Sequence, residues 1–192
     1  MYIYLVRHPP PIDVDGFCYG RLDVAVTEQD IARTAESIFD QIPSQTLASA
    51  RIYCSPASRC MGLARHIASP REPTASGDLI EMSFGHWQGI RWDAIAQLEI
   101  DAWAKDLWGY RPGGGESAAM VATRWERWLN HVCRSDSGNV VAVTHAGVIR
   151  VALARVGQGN GASALEAHIP FGSVHRLDLG TTPDHGMRNQ HG

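Results

Sequence analysis

Two histidines and two arginines stand just past short runs of apolar, β-branched residues: Arg7 and His8 after residues 2–6, Arg59 after residues 51–54, and His145 after residues 139–144. A guanidinium is a planar fork that matches phosphoryl oxygens, and an imidazole can either donate a hydrogen bond or attack with its bare nitrogen. Brought together, three of these groups could donate to phosphoryl oxygens while the fourth attacks phosphorus. Taken singly, each has an ordinary reading. His8 could close a strand by bonding a carbonyl, Arg59 could be a solvated arginine on a capped helix, and His145 could be a satisfied core group. The sequence around each favours the pocket when they are read together. Pro9-Pro10-Pro11 cannot continue a helix and holds His8 on a stiff turn. In Cys54-Ser-Pro-Ala-Ser-Arg59, Ser55 is expected as the N-cap of a helix and Pro56 as its first residue. Such a helix start attracts anions, and Arg59 would project from its first turn. After His145, Ala146 and Gly147 leave room for a ligand to approach the backbone.

The elements that must position these groups alternate. Residues 2–6, 51–54 and 139–144 lack strict alternation of apolar and polar residues, so they read as strands covered on both faces, as in a parallel sheet. Between them lie helices. Ile31, Ala35, Ile38, Phe39 and Ile42 follow one helix face, as do Val121, Trp125, Trp128, Leu129 and Val132. The expected order is strand, helix, strand, helix, a helical insertion, helix, strand, helix and a last strand at 174–179. This predicts an α/β fold, a three-layer α/β/α sandwich with a mainly parallel sheet. In such sheets ligands bind beyond the carboxyl ends of the strands. One domain over 1–179 is expected, with the helical insertion at about 87–117 and a mobile tail at 180–192.

Composition narrows the partners. The chain has 192 residues, 17 Lys+Arg against 20 Asp+Glu and a net charge of −3. It gives no general attraction to nucleic acid or to an anionic membrane surface, so an anionic ligand must be held by a local cluster. Its apolar runs fall far short of the ~20 residues of a membrane span. No charged leader precedes an apolar stretch, and a cytoplasmic protein is expected. Cys18, Cys54, Cys60 and Cys133 form no C-x-x-C pair, so free thiols are expected rather than a metal site or disulfide framework.

Five fragments, in order, resemble the histidine phosphatase superfamily, the phosphoglycerate mutase-like proteins: Leu5-Val-Arg-His8, Cys54-Ser-Pro-Ala-Ser-Arg59, Leu79-Ile-Glu-Met-Ser-Phe-Gly-His-Trp-Gln-Gly89, Pro112-Gly-Gly-Gly-Glu-Ser117 and Val143-Thr-His-Ala-Gly-Val-Ile-Arg150. With Cys18-Tyr-Gly-Arg-Leu-Asp23, the chain looks most like the small α-ribazole phosphatase-type members, enzymes of cobalamin assembly. The resemblance implies a phosphoglycerate mutase-like fold and a phosphatase needing no metal or cofactor, acting on a small-molecule phosphate ester such as α-ribazole 5′-phosphate. It implies that His8 is the nucleophile, forming a phosphohistidine, and that Arg7, Arg59 and His145 clamp the phosphoryl oxygens. It further implies that Glu81 donates a proton to the leaving alkoxide and then serves as base, and that Gly20 and Arg21 contact the substrate. Without the resemblance, Gly20-Arg21 is a turn and Glu81 a loop carboxylate.

The chain departs from the family's usual first motif. Pro9 stands for its glycine, Pro11 for its hydroxyl residue and Val14 for its asparagine, so a phosphate contact is missing or supplied elsewhere, for example by Arg21. The triple glycine at 113–115 is a loop opening a helix, with a lid as the alternative; no G-K-[ST] follows it, as a Walker loop requires. Trp87, Trp92, Trp103 and Trp108 are either packing of the insertion or, for one or two of them, a stacking wall for a flat leaving group. Competing functions are a phosphoglycerate mutase and a noncatalytic phospho-ligand module. The oligomeric state is left open, with a dimer as one option.

Overall fold

Residues 1–135, 138–156 and 161–179 are described in a computed structural model; the expected tail at 180–192 lies outside them. The strands are β1 (Tyr2–Arg7), β2 (Arg51–Cys54), β3 (Thr74–Ala75), β4 (Val140–Thr144) and β5 (Val174–Asp178). They form one sheet in the order β3-β2-β4-β1-β5, parallel throughout except for β5, which runs antiparallel to β1.

The apolar runs form central strands because both faces are covered. Ile3 and Leu5 of β1 face α5 (Ala118–Ser135) and α6 (Ala146–Arg155). Tyr4 and Val6 face α1 (Glu28–Gln41), α2 (Ser44–Ser49) and α3 (Ser58–Ala68). The molecule is therefore the expected three-layer sandwich. All five residues of β4 are buried, and each such valine stabilises the fold by roughly 1.5–3 kcal/mol.

Three local expectations change. Phe39 is exposed at 47%. At 100° per residue it lies at the edge of the stripe centred on Ile31, Ala35, Ile38 and Ile42, which are buried. Ser55 does not cap a helix, nor does Pro56 begin one: α3 starts at Ser58 with Ala57 as N-cap and no capping side chain of its own. Instead, the Asp23 carboxylate accepts from the Ser58 N–H at 2.9 Å and from its hydroxyl at 2.8 Å. Finally, α2, β3 and the six-residue α7 (Gly161–Glu166) add to the expected order.

The segment at 87–117, expected as an insertion, carries α4 (Gln97–Lys105), none of whose residues is fully buried. It is held by an aromatic cluster, with Trp87 buried, Trp92 and Trp103 stacked at 6.3 Å and Phe84 edge-on to both. The triple glycine is a bed for the chain that follows Glu81. A Cβ at Gly115 would stand 2.0 Å from the Ser83 carbonyl oxygen, and one at Gly113 2.1 Å from that of Phe84.

No helix among the described residues is long and apolar enough to cross a membrane. Cys18, Cys54 and Cys60 are buried free thiols, and Cys133 is an exposed one.

Candidate active site

Because β1 and β4 are parallel neighbours in the register Arg7↔Thr144, their ends deliver His8 and His145 side by side. The His8 N–H bonds the Thr144 carbonyl at 3.1 Å, and the two imidazole rings meet edge to face at 5.1 Å. β2 ends one strand over, where the Ser55 N–H bonds the Val143 carbonyl and the chain turns into α3. From the first turn of α3, Arg59 reaches back to both rings. Its Nε donates to His8 Nε2 at 3.3 Å, and its Nη2 faces His145 Nδ1 at 3.3 Å.

These contacts fix both tautomers. His8 Nδ1 lies 2.7 Å from the Pro9 carbonyl oxygen, which only accepts, so that nitrogen carries the proton and the Nε2 lone pair faces Arg59. A guanidinium only donates, so His145 Nδ1 is bare and its Nε2–H donates to the Ser55 hydroxyl oxygen at 2.8 Å. That hydroxyl, expected to cap a helix, instead orients a histidine.

Arg59 is completely buried, yet among the described residues no carboxylate pairs with it or with Arg7. Its remaining donors go to the Leu22 and Gly20 carbonyls, both at 2.8 Å. Arg7 lies over the Phe171 ring at 3.6 Å, donates to the Ile169 carbonyl and has a buried Nε with no partner among the described residues. A fully buried and a half-buried guanidinium, neither paired with a carboxylate among the described residues, make a site suited to an anion.

The same surroundings keep the imidazoles neutral. Burial, reinforced by Arg59 and Arg7 and opposed by the Pro9 carbonyl, lowers the His8 pKa to about 3. Burial, then the positive neighbourhood of His8, Arg59, Arg124 and Arg7, holds His145 well below its usual range. The sign follows for acid stability. An unfolded His8 takes up a proton near pH 6.5 but the folded one only near pH 3, so stability present above pH 6.5 is lost as pH falls toward 3. Denaturant titrations are expected to lose up to roughly 1.4 kcal/mol per pH unit for this group, and His8→Asn is expected to flatten the slope. An unchanged slope would mean that His8 titrates normally in the fold.

Glu81 lies just after a 3₁₀ turn at Gly77–Leu79, nearly buried. Its Oε1 accepts from the Met82 N–H at 2.8 Å and its Oε2 from the Gly147 N–H at 3.3 Å. Gly147 is small for this carboxylate, since a Cβ there would stand 2.5 Å from Glu81 Oε1. Glu81 and Arg7 line a cleft of about 310 Å³ walled by Phe17, Tyr19, Phe84, Trp92 and Phe171.

Of the residues singled out in the sequence, His8, Arg7, Arg59, His145 and Glu81 thus converge. Gly20 is present through its carbonyl, with φ +44° and no space for a side chain: a Cβ would meet Gln88 Oε1 at 2.7 Å. Arg21 points elsewhere. Its Nε donates to the Glu81 carbonyl at 2.8 Å and its Nη2 pairs with the Glu116 carboxylate at 2.8 Å. Val14 lines the cleft. Sequence reading passed over Tyr19, which lies against Arg7 and Arg59, and Phe171, the ring under Arg7. A signal existed for Tyr19, adjacent to Gly20; none existed for Phe171, brought in by the turn before the antiparallel strand.

The model of the histidine phosphatase superfamily (branch 1) matches residues 3–184. The chain is 26% identical over 188 residues to an adenosylcobalamin/alpha-ribazole phosphatase of Salmonella typhimurium, spanning 93% of this chain and 91% of that one. Among solved structures, the alpha-ribazole phosphatase from Shigella flexneri superposes with a TM-score of 0.79 at 24% identity, covering 94% and 91% of the two chains. A phosphoglycerate mutase from Thermus thermophilus gives 0.70 at 25% identity, covering 93% and 94%.

Proposed function

Because the chain belongs to branch 1 of the histidine phosphatase superfamily, we propose that this phosphatase hydrolyses a small phosphomonoester through a phosphohistidine on His8, with Glu81 as proton donor and no metal in the reaction. The observation that carries this reading is the pairing of a neutral His8, its Nε2 lone pair turned inward, with a buried Arg59 that has no carboxylate partner among the described residues.

A phosphoryl dianion entering beside Arg59 replaces the contacts between the guanidinium and the two imidazoles. Its charge also favours a proton on His145 Nδ1, turning that ring into a donor. His8 Nε2 then attacks phosphorus: the N–P bond forms, the ester P–O bond breaks, and Glu81 in its acid form protonates the leaving oxygen. In the second half, water attacks phosphorus, the Glu81 carboxylate takes its proton, and His8 departs as the free imidazole with inorganic phosphate. Arg7, Arg59 and His145 stabilise the charge on the equatorial oxygens in both halves.

The aromatic cleft favours a flat, apolar leaving group, and α-ribazole 5′-phosphate is the leading substrate. Its walls suit a heterocycle, and Arg7 is its one positively charged lining residue among those described, with Asp15 and Glu81 also present. The carboxylate of a phosphoglycerate would find no second cation among them, which disfavours the mutase reading despite the similar structure.

Steady phosphate release from α-ribazole 5′-phosphate, with kcat/KM well above that for 3-phosphoglycerate and no isomerisation of the latter, is the expected result; the reverse order would overturn the substrate assignment. Glu81→Gln is expected to slow alkyl phosphates by about 10²-fold or more, within the range of general acid catalysis, while p-nitrophenyl phosphate changes by only about threefold. Equal slowing of both would remove Glu81 as the acid.

A further inference from the structure

Arg21 lies between the two residues whose carbonyls hold Arg59, yet its own side chain runs the other way. The Gly20 and Leu22 carbonyls accept from the Arg59 guanidinium, whereas the Arg21 Nε donates to the Glu81 main-chain carbonyl at 2.8 Å. Its Nη2 is paired with Glu116. Glu116 in turn accepts from the Ser83 N–H at 3.1 Å and from Arg124 at 3.3 Å, and its own N–H bonds the Ser83 carbonyl at 2.8 Å. Arg124 closes the circuit by donating to the Asp78 carbonyl at 2.7 Å. Residues 78, 81 and 83 are therefore tied by their main chain to three charged side chains that do not line the cleft. Gln88 adds a second tie, its Oε1 accepting from the N–H groups of Arg21 and Phe84.

We propose that Arg21, Glu116 and Arg124 form a charged brace that positions the Glu81 carboxyl group for proton transfer, and that Arg21 acts through Glu81 and not on the phosphoryl group. The proposal rests on the reading of Glu81 as the proton donor. Its physical basis is that a carboxyl group transfers a proton well only within hydrogen-bond reach of the leaving oxygen, and an irregular segment holds that position only if its main chain is fixed. The tripeptide at 20–22 supplies the fixing point for both halves of the chemistry, its carbonyls setting the phosphoryl clamp and its one long side chain setting the acid. A carboxylate at 116 is needed because two guanidiniums meet there; it satisfies both and leaves their other donors for the carbonyls of Glu81 and Asp78.

Arg21→Met keeps the aliphatic stem and removes the donors. It is expected to slow an alkyl phosphate by about tenfold or more and p-nitrophenyl phosphate by no more than about threefold, because the aryl leaving group has little need of a proton. Competitive inhibition by inorganic phosphate is expected to stay the same, and Arg21→Lys to recover part of the loss. Parallel slowing of both esters, or weakened phosphate inhibition, would overturn the brace in favour of a general structural role or a direct phosphoryl contact. If Arg21→Met does not fold, Glu116→Gln decides by the same comparison, since it keeps the acceptor for Ser83 and removes the charge. Glu81→Gln measured alongside separates the two claims. If it is not selective for alkyl esters, the proton-donor reading fails; if it is selective and Arg21→Met is not, only the brace fails. The double variant is expected to be no slower than Glu81→Gln alone on the alkyl ester.

Discussion

Alanine at position 8 is expected to abolish phosphate release and the trapped covalent adduct together, with kcat falling by at least about 10⁴-fold, as for nucleophiles elsewhere. The side chain lost is the one whose attacking nitrogen is bare at neutral pH, because the Pro9 carbonyl holds the proton on Nδ1 and burial lowers the ring pKa to about 3. Rapid acid-free quenching with labelled substrate should trap an acid-labile, base-stable phosphoramidate in the parent protein and none in His8→Ala. Inorganic phosphate should still bind to the variant, since Arg7, Arg59 and His145 remain. Residual turnover within tenfold of the parent would remove His8 as nucleophile and with it the phosphohistidine route.

Removing the buried guanidinium is expected to cost less than removing the imidazole, but still heavily. Arg59→Met should cost about 10²-fold or more in kcat, the magnitude seen when one preorganised donor to transition-state charge is deleted. A second, independent consequence concerns His8. Arg59 is the leading charge holding that imidazole neutral, second only to burial, so its loss favours the imidazolium and the His8 pKa should rise from about 3 while burial keeps it below 6.5. An NMR titration of the ring measures this directly. A pKa that does not move, or a rate within threefold of the parent, would place Arg59 outside the chemistry.

The convergence of these groups was legible in the sequence for a specific reason. An apolar run that stops abruptly marks a strand end, and strand ends in a parallel sheet share one edge, so Arg7, His8 and His145 could be placed together without contacts being known. The direction of β5 was not legible, because a short edge strand has the same composition either way, and with it went Phe171, set beneath Arg7 by the turn at Phe171–Gly172. Ser55 misled because Ser-Pro is a strong helix-start signal, whereas the hydroxyl is taken by His145 from the far end of the chain. Arg21 was legible as a residue near the site but its direction was not, because that depends on Glu116, which only the fold brings alongside. Pro9, which stands for the family's glycine, still orients His8, because its carbonyl accepts from Nδ1 and no N–H is needed for that.

The carbonyl cradle around Arg59 has an energetic meaning beyond its geometry. A positive group suspended in water must reorient its solvent each time charge gathers on a reacting phosphoryl, and that reorganisation is part of an uncatalysed barrier. Here Gly20 and Leu22 anchor the outer edge of the guanidinium before any substrate arrives. The dipoles are aligned once, during folding, and in the proposed reaction each turnover would inherit that alignment from the tertiary structure.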